Sequence, residues 1–196
     1  MTGGVGAAVL AAGGAARFRA SRGGGADDPA DHKLLAPFRG RPLVAWALEA
    51  AAGAALERTF VVTGAVELEG LVPPGAEVLA NPDWASGQAS SLQVALRAAR
   101  EAGLGALVVG LGDQPLVPAA AWSAVARGRG PIVVATYAGR RRNPVRLDES
   151  VWSELPTVGD EGARRLIGLH PELVSEVACD GDPADVDTWE DLRRWS

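Results

Sequence analysis

The feature that most constrains this chain is an alternation that runs almost from end to end: short apolar runs of strand length, separated by segments of helical period. Runs near 5–11, 59–63, 76–80, 105–111, 131–137 and 173–178 are each rich in Val or Leu, and most are too short to be helices. Apolar runs without a polar face suit strands covered on both sides of a sheet. The pattern therefore predicts an α/β fold, a three-layer Rossmann-like domain with a mostly parallel central sheet. Between the strands, Pro42 is placed in the first turn of a helix, where its missing N–H costs nothing. Leu43, Val44, Ala47, Leu48 and Ala51 then share one face. Ser90 is a candidate N-cap for the next helix, in which Leu92, Ala95, Leu96 and Ala99 recur at three- and four-residue spacing.

A length of 196 residues suits one domain, 1–196, with one sizeable core. At 47% hydrophobic and 22% charged the chain is neither disordered in character nor built around a membrane span. A net charge of -5 supplies no global positive field, which argues against nucleic acid or an anionic membrane as partner. Any polyphosphate must be held locally. The apolar stretch 5–12 has no positive charge before it and is short for a signal peptide, so a cytoplasmic location is expected. Cys179 reads as core packing and not as a nucleophile. Of 19 basic residues, Lys33 is the single lysine, which suggests a position where a compact ammonium is needed and a forked guanidinium is not. Residues 22–32 read as a mobile Gly-rich insertion within the domain.

Ligands of open α/β sheets gather outside the carboxyl ends of the strands. There, Gly13 and Gly14 follow the first strand, with small side chains that let backbone amides approach a polyphosphate and Arg17 close by to neutralise it. The run is neither GxGxxG nor GxxxxGK[ST], which counts against a dinucleotide fold and a P-loop enzyme. After the fourth strand, Asp113 should stand solvated at the sheet's edge, either as a turn residue or as a ligand for Mg²⁺. Asp185 and Asp187 follow the last strand; they fit a shared ion with Asp113, or a helix cap.

Six pieces in order carry a family resemblance: Leu10-Ala11-Ala12-Gly13 with Arg17 and Lys33-Leu34-Leu35; the run 81–92, which includes Asn81, Trp84, Ser90 and Ser91; Gly112-Asp113-Gln114-Pro115; Arg142-Asn143-Pro144-Val145; the run 159–164; and Asp185-Val186-Asp187-Thr188. Together they resemble the nucleotidyltransferases of molybdenum cofactor maturation, most of all the cytidylyltransferases. The resemblance implies transfer of CMP from CTP to the terminal phosphate of molybdopterin with release of pyrophosphate, and a molybdenum hydroxylase as recipient of the product. A phosphate monoester is already ionised near neutral pH and needs no general base, so positioning and charge neutralisation suffice. In that scheme Leu10, Ala11, Ala12, Gly13 and Gly14 bind substrate, the two glycines cradling the triphosphate. Arg17 and Lys33 neutralise charge, and Asp113 and Asp187 hold Mg²⁺. The resemblance further implies Asn81, Ser90 and Ser91 at the base and ribose, and Asn143, Asp160 and Arg164 on the pterin side, although Asp160 also reads as the start of a helix. Gly14 after Gly13 resembles the guanylyl-transferring relatives, which use GTP, whereas Ser90-Ser91-Leu92 points to CTP. A sugar-phosphate nucleotidylyltransferase, a nucleotide-sugar glycosyltransferase with Asp185-Val186-Asp187 as metal motif, and a noncatalytic cofactor-binding protein are the alternatives.

Overall fold

The computed structural model describes residues 3–22 and 32–196. The insertion expected at 22–32 lies outside them apart from its two ends. Six strands form where the apolar runs predict: β1 (Val5–Ala11), β4 (Thr59–Thr63), β5 (Ala76–Ala80), β6 (Ala106–Leu111), β7 (Ile132–Tyr137) and β9 (Val174–Ala178). With β8 (Arg140–Asp148) they make one sheet in the order β5-β4-β1-β6-β8-β7-β9, while β2 (Pro37–Phe38) and β3 (Arg41–Pro42) form a small separate ribbon. All pairings in the large sheet are parallel except those of β8, which runs antiparallel to both β6 and β7.

The sheet is covered on both faces. Along β1, Ala7, Val9 and Ala11 enter one core, and Ala8 and Leu10 enter the other, as the two-residue period of a strand requires. The first core is closed by α1 (Ala16–Arg22), α2 (Leu43–Gly53), α4 (Ala119–Arg127) and α6 (Trp189–Trp195). On the other face lie α3 (Gln88–Glu101) and α5 (Arg164–Leu169). Leu43, Val44, Ala47, Leu48 and Ala51 are buried along α2, and Leu92, Ala95, Leu96 and Ala99 along α3, as the spacing predicts. Among the described residues no helix is long and apolar enough to cross a membrane.

Three local readings are corrected. Helix α3 is capped by Gly87, at φ +113°, and begins at Gln88; Ser90 lies inside its first turn, where the hydroxyl donates back to Gly87 O at 2.9 Å. Asp160 does not start a helix, because α5 begins at Arg164 behind Ala163. Pro42 occupies the cap of α2 itself, one position ahead of its first turn. Strand β8 has no counterpart among the apolar runs. Its Arg140-Arg141-Arg142 run and Pro144 lack any strand signature, and proline cannot donate to a ladder flanked on both sides. The pairing accommodates it with a bulge: Val134 faces Val145 and Ala135 faces Arg142, so Asn143 and Pro144 fall outside the ladder.

In chain order the sheet grows from β1 to β4 and β5 on one side, then returns to place β6 on the other. The carboxyl ends of β1 and β6 therefore flank a topological switch point, where a crevice opens. Strand β6 is held there by close packing. A Cβ on its Gly110 would stand 2.5 Å from the indole of buried Trp122 in α4, so Gly110→Ala is expected to cost about 1–3 kcal/mol, measured by chemical denaturation. Trp122→Leu in the same chain should return part of that loss; if it returns none, the contact does not set the glycine.

Candidate active site

A cleft of about 610 Å³ opens at this switch point. One wall is the loop after β1, from Ala12 to Ala15, which continues into α1; Leu10 to Gly14 all line the cleft, as does Arg17. Helix α1 is fixed to α6 by the edge-on contact of Phe18 with Trp189, at 5.6 Å between ring centres, and by Trp189 N–H donating to the Ser21 hydroxyl at 2.9 Å. That docking carries Arg17 to the C-terminal segment, where its Nη1 lies 2.9 Å from Asp187 Oδ2.

Three distant segments converge on one ammonium. Lys33 Nζ donates to Asp113 Oδ2 at 2.6 Å and to Asp187 Oδ1 at 2.9 Å. Burial pulls the Lys33 pKa down, but the charge and hydrogen bond of Asp113, then those of Asp187, hold it above its ordinary value. The backbone enforces the meeting. Val186 N–H donates to Asp113 O at 3.0 Å, its side chain is buried, and Asp187 N–H donates to Asp191 Oδ2 at 3.2 Å. Thr188 caps α6 in a reciprocal box with Asp191, so the cap lies one residue beyond Asp187 and leaves that carboxylate to the cleft. Asp113 is more enclosed than expected: its side chain is 18% exposed and Oδ1 is buried with no hydrogen-bond partner. Asp185 also lines the cleft, held by Gln114 Nε2 at 2.8 Å; burial, then the neighbouring Asp113 carboxylate, pushes its pKa up.

Two further residues shape the site, and the sequence assigns neither of them a role. His32, 3% exposed, accepts from Leu34 N–H through Nδ1 at 3.2 Å, so Nε2 carries the proton and donates to Gly13 O at 2.8 Å. It ties the glycine loop to the lysine segment. Trp84 also lines the cleft and lies against both Gly14 and Gly64; a Cβ at Gly14 would stand 2.7 Å from its ring, whereas one at Gly13 would meet nothing within 4 Å. The two glycines thus do different things: Gly13 keeps the cleft open, and Gly14 admits the indole.

The remaining residues divide. Ser91, Asp160 and Arg164 line the cleft; Asn81, Ser90 and Asn143 do not. Asn81, 2% exposed, donates through Nδ2 to both Ser90 Oγ and Ser91 Oγ at 2.9 Å, fixing the start of α3 from beneath. Asp160 reaches the cleft because Ala89 N–H donates to Gly159 O at 2.9 Å, drawing that loop onto the end of α3. Cys179, read from the sequence as core packing, is partly buried against the first core just past β9, and burial raises its thiol pKa.

A family model described as the MobA-like NTP transferase domain matches residues 7–175. The chain belongs to that family. As a nucleotidyltransferase-type domain of this family, it is 29% identical to Rv0371c from Mycobacterium tuberculosis H37Rv, with a TM-score of 0.77 over 99% of this chain and 98% of that one. A structure of the same mycobacterial protein in complex with manganese is 27% identical, with a TM-score of 0.73 over 98% of this chain and 97% of the other. The fold is also that of a nucleotidyl transferase from Methanothermobacter (Mth528), at 22% identity and a TM-score of 0.77 over 97% and 95% of the two chains. A search of curated protein sequences gives no match.

Two measurements test this geometry. Gly14→Ala is expected to lose about 1–3 kcal/mol, with Trp84→Leu recovering part of it; a double-mutant cycle with no coupling would rule out the contact. For His32, burial is the main cause that lowers its pKa, with the Gly13 carbonyl opposing it and the Lys33 charge adding to it. The unfolded chain, near the ordinary value of about 6.5, then takes up the proton first. Stability is full above that pH and is lost as pH falls through the lowered folded value. Denaturation at stepped pH should show this acid loss in the wild type and less of it in His32→Gln.

Proposed function

We propose that this nucleotidyltransferase transfers CMP from CTP to the phosphate of molybdopterin and releases pyrophosphate. The observation that carries the reading is the Arg17, Lys33, Asp113 and Asp187 cluster at the mouth of the Gly13 loop, where two cationic side chains and two carboxylates converge at a sheet switch point. Asp113 and Asp187 fit a hard divalent cation, since Mg²⁺ takes one or two carboxylates together with substrate phosphates, and Asp113 Oδ1 is buried without a partner. The manganese complex of the mycobacterial relative supports a divalent ion in the family. When bound, that ion would polarise the α-phosphate and offset the charge on the leaving pyrophosphate.

The chain's own residues do the rest. Gly13, with no side chain over the cleft and its carbonyl held by His32, leaves room for the phosphates beside the loop. Lys33 and Arg17 neutralise the charge that moves onto the leaving group. The acceptor phosphate is ionised at neutral pH, so no side chain is needed to remove a proton from it. Asp160 and Arg164, which line the cleft, belong to the acceptor side, and Ser91 to the nucleoside side. Asn81 and Ser90 act behind that wall as supports. For guanylyl transfer, the glycine at 14 counts for less than the sequence alone suggests, because Trp84 gives it a packing reason.

Pyrophosphate release with each of four nucleoside triphosphates, with and without molybdopterin, tests the reading. Release is expected with CTP and Mg²⁺ only when molybdopterin is present. GTP preference would move the assignment to guanylyl transfer, and release with a sugar phosphate alone would move it to that class. Asp113→Asn is expected to lower turnover by about 10²- to 10³-fold with the fold retained; near-normal turnover at saturating Mg²⁺ would remove Asp113 from the site.

A further inference from the structure

Lys33 stands where the preceding reading places a divalent cation, between Asp113 and Asp187. Of the four oxygens on that carboxylate pair, its ammonium engages Asp113 Oδ2 at 2.6 Å and Asp187 Oδ1 at 2.9 Å, and Arg17 takes Asp187 Oδ2 at 2.9 Å. Only Asp113 Oδ1 is without a partner. The charges of the two carboxylates and the two basic side chains cancel. A divalent ion entering alone must break charge-assisted hydrogen bonds and then sit close to an ammonium whose side chain is 12% exposed. Asp185, the neighbouring carboxylate of the cleft, is already engaged by Gln114.

A triphosphate changes both conditions. Its oxygens offer Lys33 and Arg17 new acceptors, and the carboxylate oxygens they leave become ligands for the ion. Lysine is suited to such an exchange, being a compact charge on a flexible four-carbon stem, whereas a planar guanidinium is less easily redirected. We propose that Lys33 and the divalent cation compete for the Asp113–Asp187 pair, so that the cation and the triphosphate are taken up together and each strengthens the other's binding. The proposal rests on the reading of this pair as metal ligands. Linkage requires the coupling to be the same in both directions.

Binding of Mn²⁺ to the free protein, followed by the electron paramagnetic resonance signal of unbound Mn²⁺, separates the possibilities. Lys33→Met keeps an apolar stem and removes the charge, and is expected to bind Mn²⁺ about tenfold more tightly than the wild type, a step within the usual range of coupling between sites. Lys33→Arg, which keeps the charge, should stay close to the wild type. Unchanged or weaker Mn²⁺ binding by Lys33→Met overturns the competition. Asp113→Asn is the separate control: binding equal to the wild type would overturn the assignment of the metal ligands and the proposal with it. Because Lys33 is the chain's single lysine, a wild-type sample labelled at the lysine Cε gives one side-chain NMR signal. Saturating Mg²⁺ with a non-hydrolysable CTP analogue should shift that signal, and a signal unmoved by the pair overturns the proposal without recourse to any variant.

Discussion

The bridge from Lys33 to Asp113 and Asp187 is the interaction on which the site depends, because it joins segments 80 and 154 residues apart in the chain. Asp113 sits just past β6 and Asp187 just before α6, while Lys33 opens a single 3-10 turn, Lys33–Leu35. The strands and helices fix where the segments begin, and hydrogen bonds to the backbone between the segments bring the charges together. Such a bridge contributes little net stability by itself, since removing charges from water offsets much of their attraction. Its value lies in geometry. With Val186 bonded to the Asp113 carbonyl and His32 bonded to the Gly13 carbonyl, the backbone has already brought the charged groups within reach.

The cleft follows from topology as much as from chemistry. Strand order reverses at β1, where the chain returns from β5 to lay β6 on the other side, and the loops that leave β1 and β6 border the space at their carboxyl ends. Small residues line that space: Ala11, Ala12, Gly13, Gly14, Ala15 and Ala16. Larger side chains there would fill the volume that a ligand needs, and Trp84 shows how near the limit the loop already is.

Much of this was legible in the sequence, because strands buried on two faces write themselves as apolar runs, and a sheet of them admits few arrangements. The six runs at 5–11 through 173–178 became six strands with ends shifted by no more than one residue. Strand β8 was not legible. Its pairing depends on a bulge that removes Pro144 from the ladder, and bulges leave no periodic trace. The positions of Asp113 and Asp187 could be read from the strand-end rule, yet their bridge to Lys33 could not, since the 23–31 segment separates that residue from the loop it serves. The contacts of His32 and Trp84 lay beyond inference for a simpler reason: a buried histidine and a partly buried tryptophan are ordinary, and only the carbonyl and the glycine they meet make them specific.

Asp187 follows every strand of the large sheet in chain order. A chain ending between residues 178 and 187 would therefore carry every strand of that sheet, the glycine loop, Lys33 and Asp113, but only one of the two carboxylates. A truncation in that short stretch would separate architecture from chemistry: it keeps the strands and removes half of the acidic pair, together with the α6 that docks α1.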